Sequence, residues 1–376
     1  MYQLLADKPR SAVLIGLCFA VLLILPWFHL LPESSALFLS AYWLTLIGKI
    51  MCFALVALAL DLVWGYAGIL SLGHGLYFAL GGYAFGMYLM REASGTGLPD
   101  FMVFLDWKEM PWYWAGTQHF WWSMILVVAV PALIAFIFGY FAFRSKIKGV
   151  YFSIITQAMT FAAALLFFRN ETGFGGNNGF TGFTSILGQS VTAPSTRVAL
   201  CFITALVLLL CYVGLRRLLS MPFGRVLGAI RDSENRLQYL GYRTLWYKLS
   251  AWTLSAVIAG IAGALYVPQV GIINPSEMST TSSIEMAVWV ATGGRGTLIG
   301  PLLGAGVVNG AKSYFTVAFP EIWLLILGGL FIVVTLFLPD GIIGALKKMK
   351  LGKKTPEVPV AEQMIKPSEG QEEGSK

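Results

Sequence analysis

The stretch at residues 121–143, WWSMILVVAVPALIAFIFGYFAF, contains no charged side chain and ends directly before Arg144. A helix of about 20 apolar residues is long enough to cross the hydrocarbon core of a bilayer. Comparable apolar stretches occupy residues 11–31, 41–64, 69–90, 149–168, 197–219, 247–267 and 322–338. Their repetition predicts an all-α polytopic membrane protein with about 8–10 transmembrane helices.

The composition excludes a soluble enzyme. Of the 376 residues, 57% are hydrophobic and 12% are charged, whereas about 25% of the residues of a typical soluble domain are charged. This is too little charge to cover a compact body with polar surface. The four cysteines lie within apolar stretches and the three histidines are scattered, which predicts neither a disulfide framework nor a metal site. We find no catalytic cluster and expect no enzymatic activity in this chain.

The distribution of positive charge predicts the orientation of the chain. The formal net charge is +7, and the basic residues are concentrated at 8–10, 144–148, 216–248 and from 347 onwards. The intervening segments are acidic or neutral, and the segment 91–120 also carries a cluster of tryptophans typical of a membrane interface. This is the positive-inside pattern, so we expect both termini in the cytoplasm and do not expect nucleic acid as a partner.

The region 283–314 is predicted to be a re-entrant helix pair. Both termini can be cytoplasmic only if the number of crossings is even. The continuous spans leave the chain outside at residue 267, and 322–338 must bring it back in. Residues 283–314 must therefore enter the membrane and return, and the sequence VATGGRGTLIGP at 290–301 contains the glycines that would break the helix. An additional span elsewhere in the chain is the alternative.

Two further segments complete the predicted domain organisation. Residues 1–346 form a transmembrane domain, whereas residues 347–376 consist mainly of Pro, Glu, Lys, Ser and Gly and are expected to be a disordered cytoplasmic tail.

The stretch GAGVVNGAKS at 304–313 is not a phosphate-binding loop, because Ala311 separates Gly310 from Lys312. If transport is ATP-driven, the ATP is bound by another chain.

The inner loop at 222–243, PFGRVLGAIRDSENRLQYLGYR, mixes apolar and charged residues. Its apolar positions suit short amphipathic helices joined near Asp232 and Ser233. An apolar face surrounded by charges is suited to contact with a cytoplasmic partner. A solvated inner loop is the alternative interpretation.

Polar residues within the apolar stretches are candidates for a solute path. Four of them share one face of the predicted helix at 149–168, namely Ser153, Thr156, Gln157 and Thr160. This polar face either lines a pore or joins the helix to its neighbours. Glu285 and Thr292 share a face before the glycine turn, and an intramembrane carboxylate is expensive enough to suggest function. Glu285 is expected either to accept N–H groups of a solute or to pair with Arg295 or Lys49.

Two further pairs of polar residues flank glycine-rich connections. Asn177 and Asn178 lie in an outer loop, where they either meet a solute-binding protein or simply form turns. Asp61 and His74 flank a short connection and are expected to hydrogen-bond to each other in a structural role.

Several motifs in the same order resemble the permease subunits of branched-chain-amino-acid-type ABC importers. They are the inner loop at 222–243 and three glycine-containing segments at 65–83, 248–266 and 293–304. The resemblance covers roughly residues 43–338 and implies an ABC importer permease fold in a bacterial inner membrane. It also implies that the inner loop docks on an ATPase, and it gives the candidate coupling residues as Gly224, Arg225, Arg231, Asp232, Glu234, Leu240 and Gly241.

Within this family, the chain is most similar to the second permease subunit of urea importers. The similarity lies in GFGGNNGFT at 173–181, EMSTTSSIEMAVWVA at 277–291 and GGRGT at 293–297. It implies a heterodimer with a second permease, two cytoplasmic ATPases that bind the ATP, a periplasmic solute-binding protein, and no cofactor in this chain. Branched-chain amino acids are the alternative substrate, and an ion-coupled secondary transporter is a less favoured reading.

The chemistry of the solute supplies a criterion for the path. Urea is planar and uncharged, so it needs amide and hydroxyl groups and at most one carboxylate. A zwitterionic amino acid would instead be helped by fixed charges of both signs.

Overall fold

A computed structural model describes residues 9–95, 97–322, 325, 328, 329, 332 and 341–350. The helices of these residues are α1 Pro9–Ile24, α2 Ala41–Asp61, α3 His74–Ser94, α4 Asp100–Phe104, α5 Phe120–Arg144, α6 Val150–Phe167, α7 Pro194–Ser220, α8 Pro222–Tyr239, α9 Thr244–Val270, α10 Thr280–Gly293, α11 Ile299–Ala318 and α12 Gly341–Lys350. A 3₁₀ helix at Leu25–Leu30 extends α1, and a π-turn at Leu62–Tyr66 extends α2.

The chain is a polytopic all-α membrane protein, as its apolar stretches predict. Within the described residues, six helices are long and apolar enough to cross a membrane, at Val13–Leu30, Ala41–Tyr66, Phe120–Arg144, Val150–Phe167, Pro194–Ser220 and Thr244–Val270. Two more helices, α3 with 21 residues and α11 with 20 residues, are also about 30 Å long but contain more glycine and polar residues.

The centre of the bundle is formed by α2, α3 and α9. Residues Leu55–Leu60 of α2 are completely buried. Helices α3 and α9 cross so closely that their backbones touch, because a Cβ added at Gly81 would overlap the Gly260 backbone and one at Gly263 would overlap the Phe78 carbonyl. Glycine therefore permits this crossing, as is common between membrane helices.

Helices α10 and α11 form the predicted helix pair. The 14 residues of α10 span about 21 Å, less than the roughly 30 Å of a hydrocarbon core, and α11 runs back alongside it. Residues 294–298 form the turn, in which Gly294, Gly296 and Leu298 have positive φ. The Thr297 hydroxyl donates to the Gly294 carbonyl at 2.7 Å and closes the turn. The glycine break is thus a tight turn between two packed helices.

Two predicted boundaries differ from the structure. Helix α3 begins at His74 and not at residue 69, because Gly68 has a φ of +72° and the Ser71 side chain accepts a hydrogen bond from the Gly73 amide. Helix α12 extends to Lys350, so the first residues of the predicted disordered tail are helical. Residues 351–376 and most of the predicted span at 322–338 lie outside the described residues.

The end of the bundle opposite α8 carries most of the non-helical chain. Strand β1 (Phe180–Thr181) pairs with β4 (Ile272–Ile273), and β2 (Ser185–Ile186) pairs with β3 (Gln189–Ser190). The β1–β4 ladder ties the loop after α6 to the segment between α9 and α10. The start of the α10–α11 pair is therefore anchored at this end of the molecule.

Candidate functional site

A polar cleft of about 410 Å³ lies between the first half of α2, the start of α10 and the second half of α11. Its charged lining residues are Lys49, Glu277, Glu285 and Lys312. Its uncharged polar lining residues are Asn274, Ser276, Ser282, Asn309, Ser313 and Thr316. Its apolar lining includes the aromatic rings of Phe53, Tyr266 and Trp289. The described cleft therefore combines two basic and two acidic side chains with hydroxyl, amide and aromatic groups.

An ion pair across the α10–α11 pair holds Glu285. Lys312 Nζ donates to both carboxylate oxygens of Glu285, at 2.9 Å and 2.8 Å. The prediction that Glu285 pairs with Arg295 or Lys49 is wrong, because the antiparallel packing of the two helices brings Lys312 opposite it. Arg295 is exposed on the turn and lies over the Trp64 ring at 5.7 Å. Lys49 lies at 5.7 Å over the Phe53 ring.

Lys312 is the functional candidate that the sequence analysis missed. In the sequence it ends the stretch that lacks the spacing of a phosphate-binding loop, and in the structure it lies inside the continuous helix α11. A lysine inside the predicted re-entrant helix pair is itself a signal of function in the sequence.

Glu277 is the second carboxylate that lines the same cleft. It belongs to the 3₁₀ helix Pro275–Met278, and its Oε1 accepts a hydrogen bond from the Tyr266 hydroxyl at 3.1 Å. This places the second carboxylate between the end of α9 and the start of α10.

The polar face of α6 does not line this cleft. Ser153 Oγ donates to the Leu70 carbonyl at 2.8 Å, and Thr156 Oγ1 accepts from the Leu72 amide at 3.2 Å. Thr160 Oγ1 donates to the Thr156 carbonyl within the helix. The Ser153 and Thr156 hydroxyls thus join α6 to the segment at 69–73, in line with the alternative that this face contacts another part of the bundle.

The remaining two path candidates lie near the α10–α11 pair. Gln157 Nε2 donates to Thr280 Oγ1 at 3.0 Å and so contacts the first residue of α10. Thr292 is buried at the far end of α10 and is absent from the cleft lining. Of the six predicted path residues, the described cleft includes Glu285 alone.

The predicted break in the inner loop is confirmed. Helix α8 is interrupted at Ser233, whose φ of −163° and ψ of 90° are extended. Leu227, Ile230 and Leu237 are buried against the bundle. Two short amphipathic helices therefore lie across this end of the molecule.

The candidate coupling residues divide into two groups. Four of them are exposed at the surface of α8 and the turn after it, namely Arg225, Asp232, Leu240 and Gly241. The other three, Gly224, Arg231 and Glu234, face the bundle. Gly224 packs against the Leu219 backbone, where a Cβ would overlap it.

Glu234 joins three parts of the surface around α8. Its Oε1 accepts from Lys248 Nζ at 2.7 Å and from Thr244 Oγ1 at 2.9 Å, and its Oε2 lies 2.8 Å from Lys148 Nζ. Burial alone would raise the pKa of this carboxyl, but the hydrogen bonds from Lys148 and Lys248 outweigh that effect and lower its pKa to about 2. Glu234 is therefore an ionised anchor that fastens α8 to α9 and to the α5–α6 loop.

Arg231 reaches from α8 to the end of α2. Its Nη1 donates to the Gly65 carbonyl at 2.8 Å, while Nε and Nη2 donate to Asp232 Oδ1. The guanidinium thus contacts both the exposed surface of α8 and the π-turn of α2.

Asp61 and His74 do not bond to each other, contrary to the prediction. Asp61 accepts hydrogen bonds from the Gly296 amide at 2.6 Å and the Leu298 amide at 3.1 Å. His74 contacts Ser71 Oγ at 3.0 Å and Ser255 Oγ at 2.6 Å. Both residues have structural contacts, but with different partners from those expected.

Asn177 and Asn178 are exposed in the short 3₁₀ helix Gly176–Asn178, at the end opposite α8. Gly175, Gly176 and Gly179 around them have positive φ. This surface is accessible to a partner. The described residues contain no group of three or more His, Cys, Asp or Glu side chains that could hold a metal ion.

Comparison with known proteins identifies the family. The model of the family described as branched-chain amino acid transport system / permease component matches residues 42–335. The chain belongs to this family. The match covers every element that lines the cleft as well as α8, so the cleft and the inner loop belong to a transport permease.

Similar curated permeases come from bacteria and an archaeon. The LivM high-affinity branched-chain amino acid transport permease of Salmonella typhimurium is 27% identical over 81% of this chain and 71% of its own length. The LivM protein of Escherichia coli is 27% identical over 78% of this chain and 68% of its length. A probable LivM of Methanocaldococcus jannaschii is 26% identical over 77% of this chain and 89% of its length. No solved structure matches.

Proposed function

We propose that this permease forms one half of the solute pathway of an ATP-driven importer in a bacterial inner membrane, with both termini in the cytoplasm. The observation that carries the proposal is the charged cleft between α2, α10 and α11, at the end of these helices remote from α8. Two cytoplasmic ATPases would act on α8, and a periplasmic binding protein would deliver solute at the opposite end. The permease itself makes and breaks no covalent bond.

A second permease would close the cleft. The Lys312 side chain is 37% exposed although it lies in a membrane helix. Charged groups at membrane depth face a protein interior or water rather than lipid, because exposure to hydrocarbon is costly. A second permease of similar fold, packed against α2 and α11, would enclose these charges in a shared aqueous pathway.

Branched-chain amino acids are the first candidate solutes. The cleft offers both carboxylates and ammonium groups, which suits the two charges of a zwitterion. Phe53 and Trp289 supply apolar walls for an aliphatic side chain. The names of the similar permeases support the same class of solute.

Urea is the second candidate, and two observations favour it. The outer loop at 173–181 and the segment at 277–297 resemble urea permeases in sequence. In addition, Lys312 occupies both oxygens of Glu285, so these two charges neutralise each other. The hydroxyl and amide groups that remain in the cleft can hydrogen-bond to an uncharged, planar amide.

Uptake by cells with and without this chain tests the proposal. Labelled leucine and labelled urea are supplied separately at low concentration, each with the other unlabelled compound as competitor. Import that needs both this chain and ATP supports the importer. The substrate is the labelled compound whose uptake is lost without this chain and is not reduced by the other, unlabelled compound. Uptake that persists without ATP and follows an ion gradient would instead indicate a secondary transporter.

A further inference from the structure

The end of α2 touches the α10–α11 turn backbone to backbone. The π-turn Leu62–Tyr66 brings Gly65 against Gly296, where a Cβ on Gly65 would lie 2.8 Å from Gly296 Cα and would overlap its amide nitrogen. A π-turn is a rare interruption of a helix and is frequent at functional sites. The close approach depends on the absence of a side chain at Gly65, and the φ of +73° at Gly296 also favours glycine in the turn.

Asp61 fixes this contact by hydrogen bonds. One carboxylate oxygen accepts from the Gly296 amide at 2.6 Å and the other from the Leu298 amide at 3.1 Å. The side chain is fully buried. The carboxylate therefore holds the backbone of the turn between α10 and α11, and any movement of the end of α2 displaces that turn.

Arg231 reaches the same π-turn from α8. Its guanidinium donates to the Gly65 carbonyl at 2.8 Å. Its aliphatic part packs on Gly68, which has a φ of +72° and where a Cβ would lie 2.6 Å from Arg231 Cγ. Gly65 thus contacts Arg231 through its carbonyl and Gly296 through its Cα.

We propose that Arg231 and Asp61 are positioning residues that link α8 to the cleft. A displacement of α8 moves the π-turn of α2 through Arg231, and Asp61 passes that displacement to the turn between α10 and α11. Those two helices carry Glu285 and Lys312, so the cleft changes shape when α8 moves. The inference rests on the proposed function of the chain as an ATP-driven permease.

The two residues have different structural consequences, which makes the proposal testable. Asp61 is buried and its replacement by Asn keeps the volume but removes one acceptor from the turn. Arg231 lies near the surface. Arg231→Gln shortens the side chain, so that the hydrogen bond to the Gly65 carbonyl is lost without creating a cavity in the core. Arg231→Lys keeps the charge and part of the length. Arg236→Gln on the same helix is the matched control for lost charge, because Arg236 is exposed.

The experiment uses the complete transporter in lipid vesicles. Co-purification of all subunits is checked first, and ATP hydrolysis is then measured with and without solute-loaded binding protein, together with solute uptake. We expect Asp61→Asn and Arg231→Gln to lower stimulated hydrolysis and uptake by about tenfold, within the usual range of coupling between distant sites. Unstimulated hydrolysis by the Asp61→Asn complex should stay at the wild-type level, Arg231→Lys should recover part of the loss, and Arg236→Gln should match wild type.

The double variant gives a second readout. If both residues act along one route, Asp61→Asn with Arg231→Gln should be about as impaired as the worse single variant, because the two effects are not additive. Independent, multiplying losses would overturn the proposal. Wild-type coupling in assembled complexes of both single variants would also overturn it. Transport by the wild-type complex without ATP would overturn the proposed function instead.

Discussion

Lys312 and Glu285 form a two-pronged ion pair, with 2.9 Å and 2.8 Å between Nζ and the two carboxylate oxygens. This ion pair joins the antiparallel helices α10 and α11 where they line the polar cleft. Because Glu285 is buried and Lys312 is half-buried, removing one partner leaves an uncompensated charge in the cleft. The pair is therefore placed to control both the shape of the cleft and its charge.

Replacement of Glu285 tests whether this pair serves transport. Glu285→Gln leaves Lys312 as a net positive charge in the cleft, and we expect uptake to fall about tenfold, equivalent to ~1.4 kcal/mol, while the complex still assembles. The measurement is initial-rate uptake beside subunit co-purification. The exchanged pair, Glu285→Lys with Lys312→Glu, restores the attraction and controls for lost stability. Loss of assembly in Glu285→Gln and its return in the exchanged pair would show a purely structural role.

Glu234 should make the surface around α8 sensitive to acid. Its pKa is lowered to about 2 in the folded protein from an ordinary 4.5. A carboxyl with a depressed folded pKa stabilises the protein fully above its unfolded pKa and loses that contribution as the pH falls towards its folded pKa. The stabilisation is thus complete above pH 4.5 and decreases between pH 4.5 and about 2.

The measurement is the unfolding temperature of detergent-purified protein across this pH range. Glu234→Gln should unfold at a lower temperature than wild type at neutral pH, and the difference should shrink as the pH falls below 4.5. Asp232→Asn is the matched control, because the Asp232 side chain is 72% exposed. A Glu234→Gln difference that is constant with pH would contradict the assignment.

The surface at the end of α8 should bind the ATPase through an exposed apolar side chain. Leu240 is 74% exposed, whereas Leu237 is 8% exposed. We expect Leu240→Asp to reduce co-purification of the ATPase while leaving the unfolding temperature of the permease unchanged. Leu237→Asp should lower that temperature, because it buries a charge. Full ATPase recovery with Leu240→Asp would exclude Leu240 from the docking surface.

The α3–α9 crossing should not tolerate a methyl group. A Cβ at Gly263 overlaps the Phe78 carbonyl, so Gly263→Ala must separate the helices and should destabilise the protein by about 1–3 kcal/mol. Gly214 in α7 has no atom within 4 Å of a built Cβ. Gly214→Ala should therefore be neutral or slightly stabilising. Equal unfolding temperatures for the two variants would contradict the close crossing.

The sequence predicted those features that depend on local pattern and charge. Apolar length predicted most of the spanning helices, and the parity of crossings predicted the pair that became α10 and α11. The apolar positions of the inner loop predicted two short helices joined near Asp232 and Ser233, and the break lies at Ser233. The helices and the break follow from neighbouring residues, whereas the α10–α11 pair follows from counting the crossings of the whole chain.

The long-range contacts of the candidate site could not be predicted in the same way, because they join residues far apart in the chain. The bond from Asp61 to Gly296 spans 235 positions, and no pattern near Asp61 indicates it. Glu285 is a candidate from sequence because a carboxylate within the membrane is energetically costly. Its partner, however, depends on how α10 and α11 are rotated against each other. The polar residues of α6 share one face of the helix, which suits either a pore lining or a contact within the bundle. Only the packing distinguishes these two interpretations.

The most direct test of the account fills the cleft in the complete transporter. Accumulation of labelled solute in sealed vesicles is measured for wild type, for Ser313→Trp in the cleft wall, and for Ser250→Trp on the exposed surface of α9. The account predicts ATP-dependent accumulation by wild type and Ser250→Trp, and none by an assembled complex that carries Ser313→Trp. Accumulation at the wild-type rate by the Ser313→Trp complex would show that solute does not pass through this cleft.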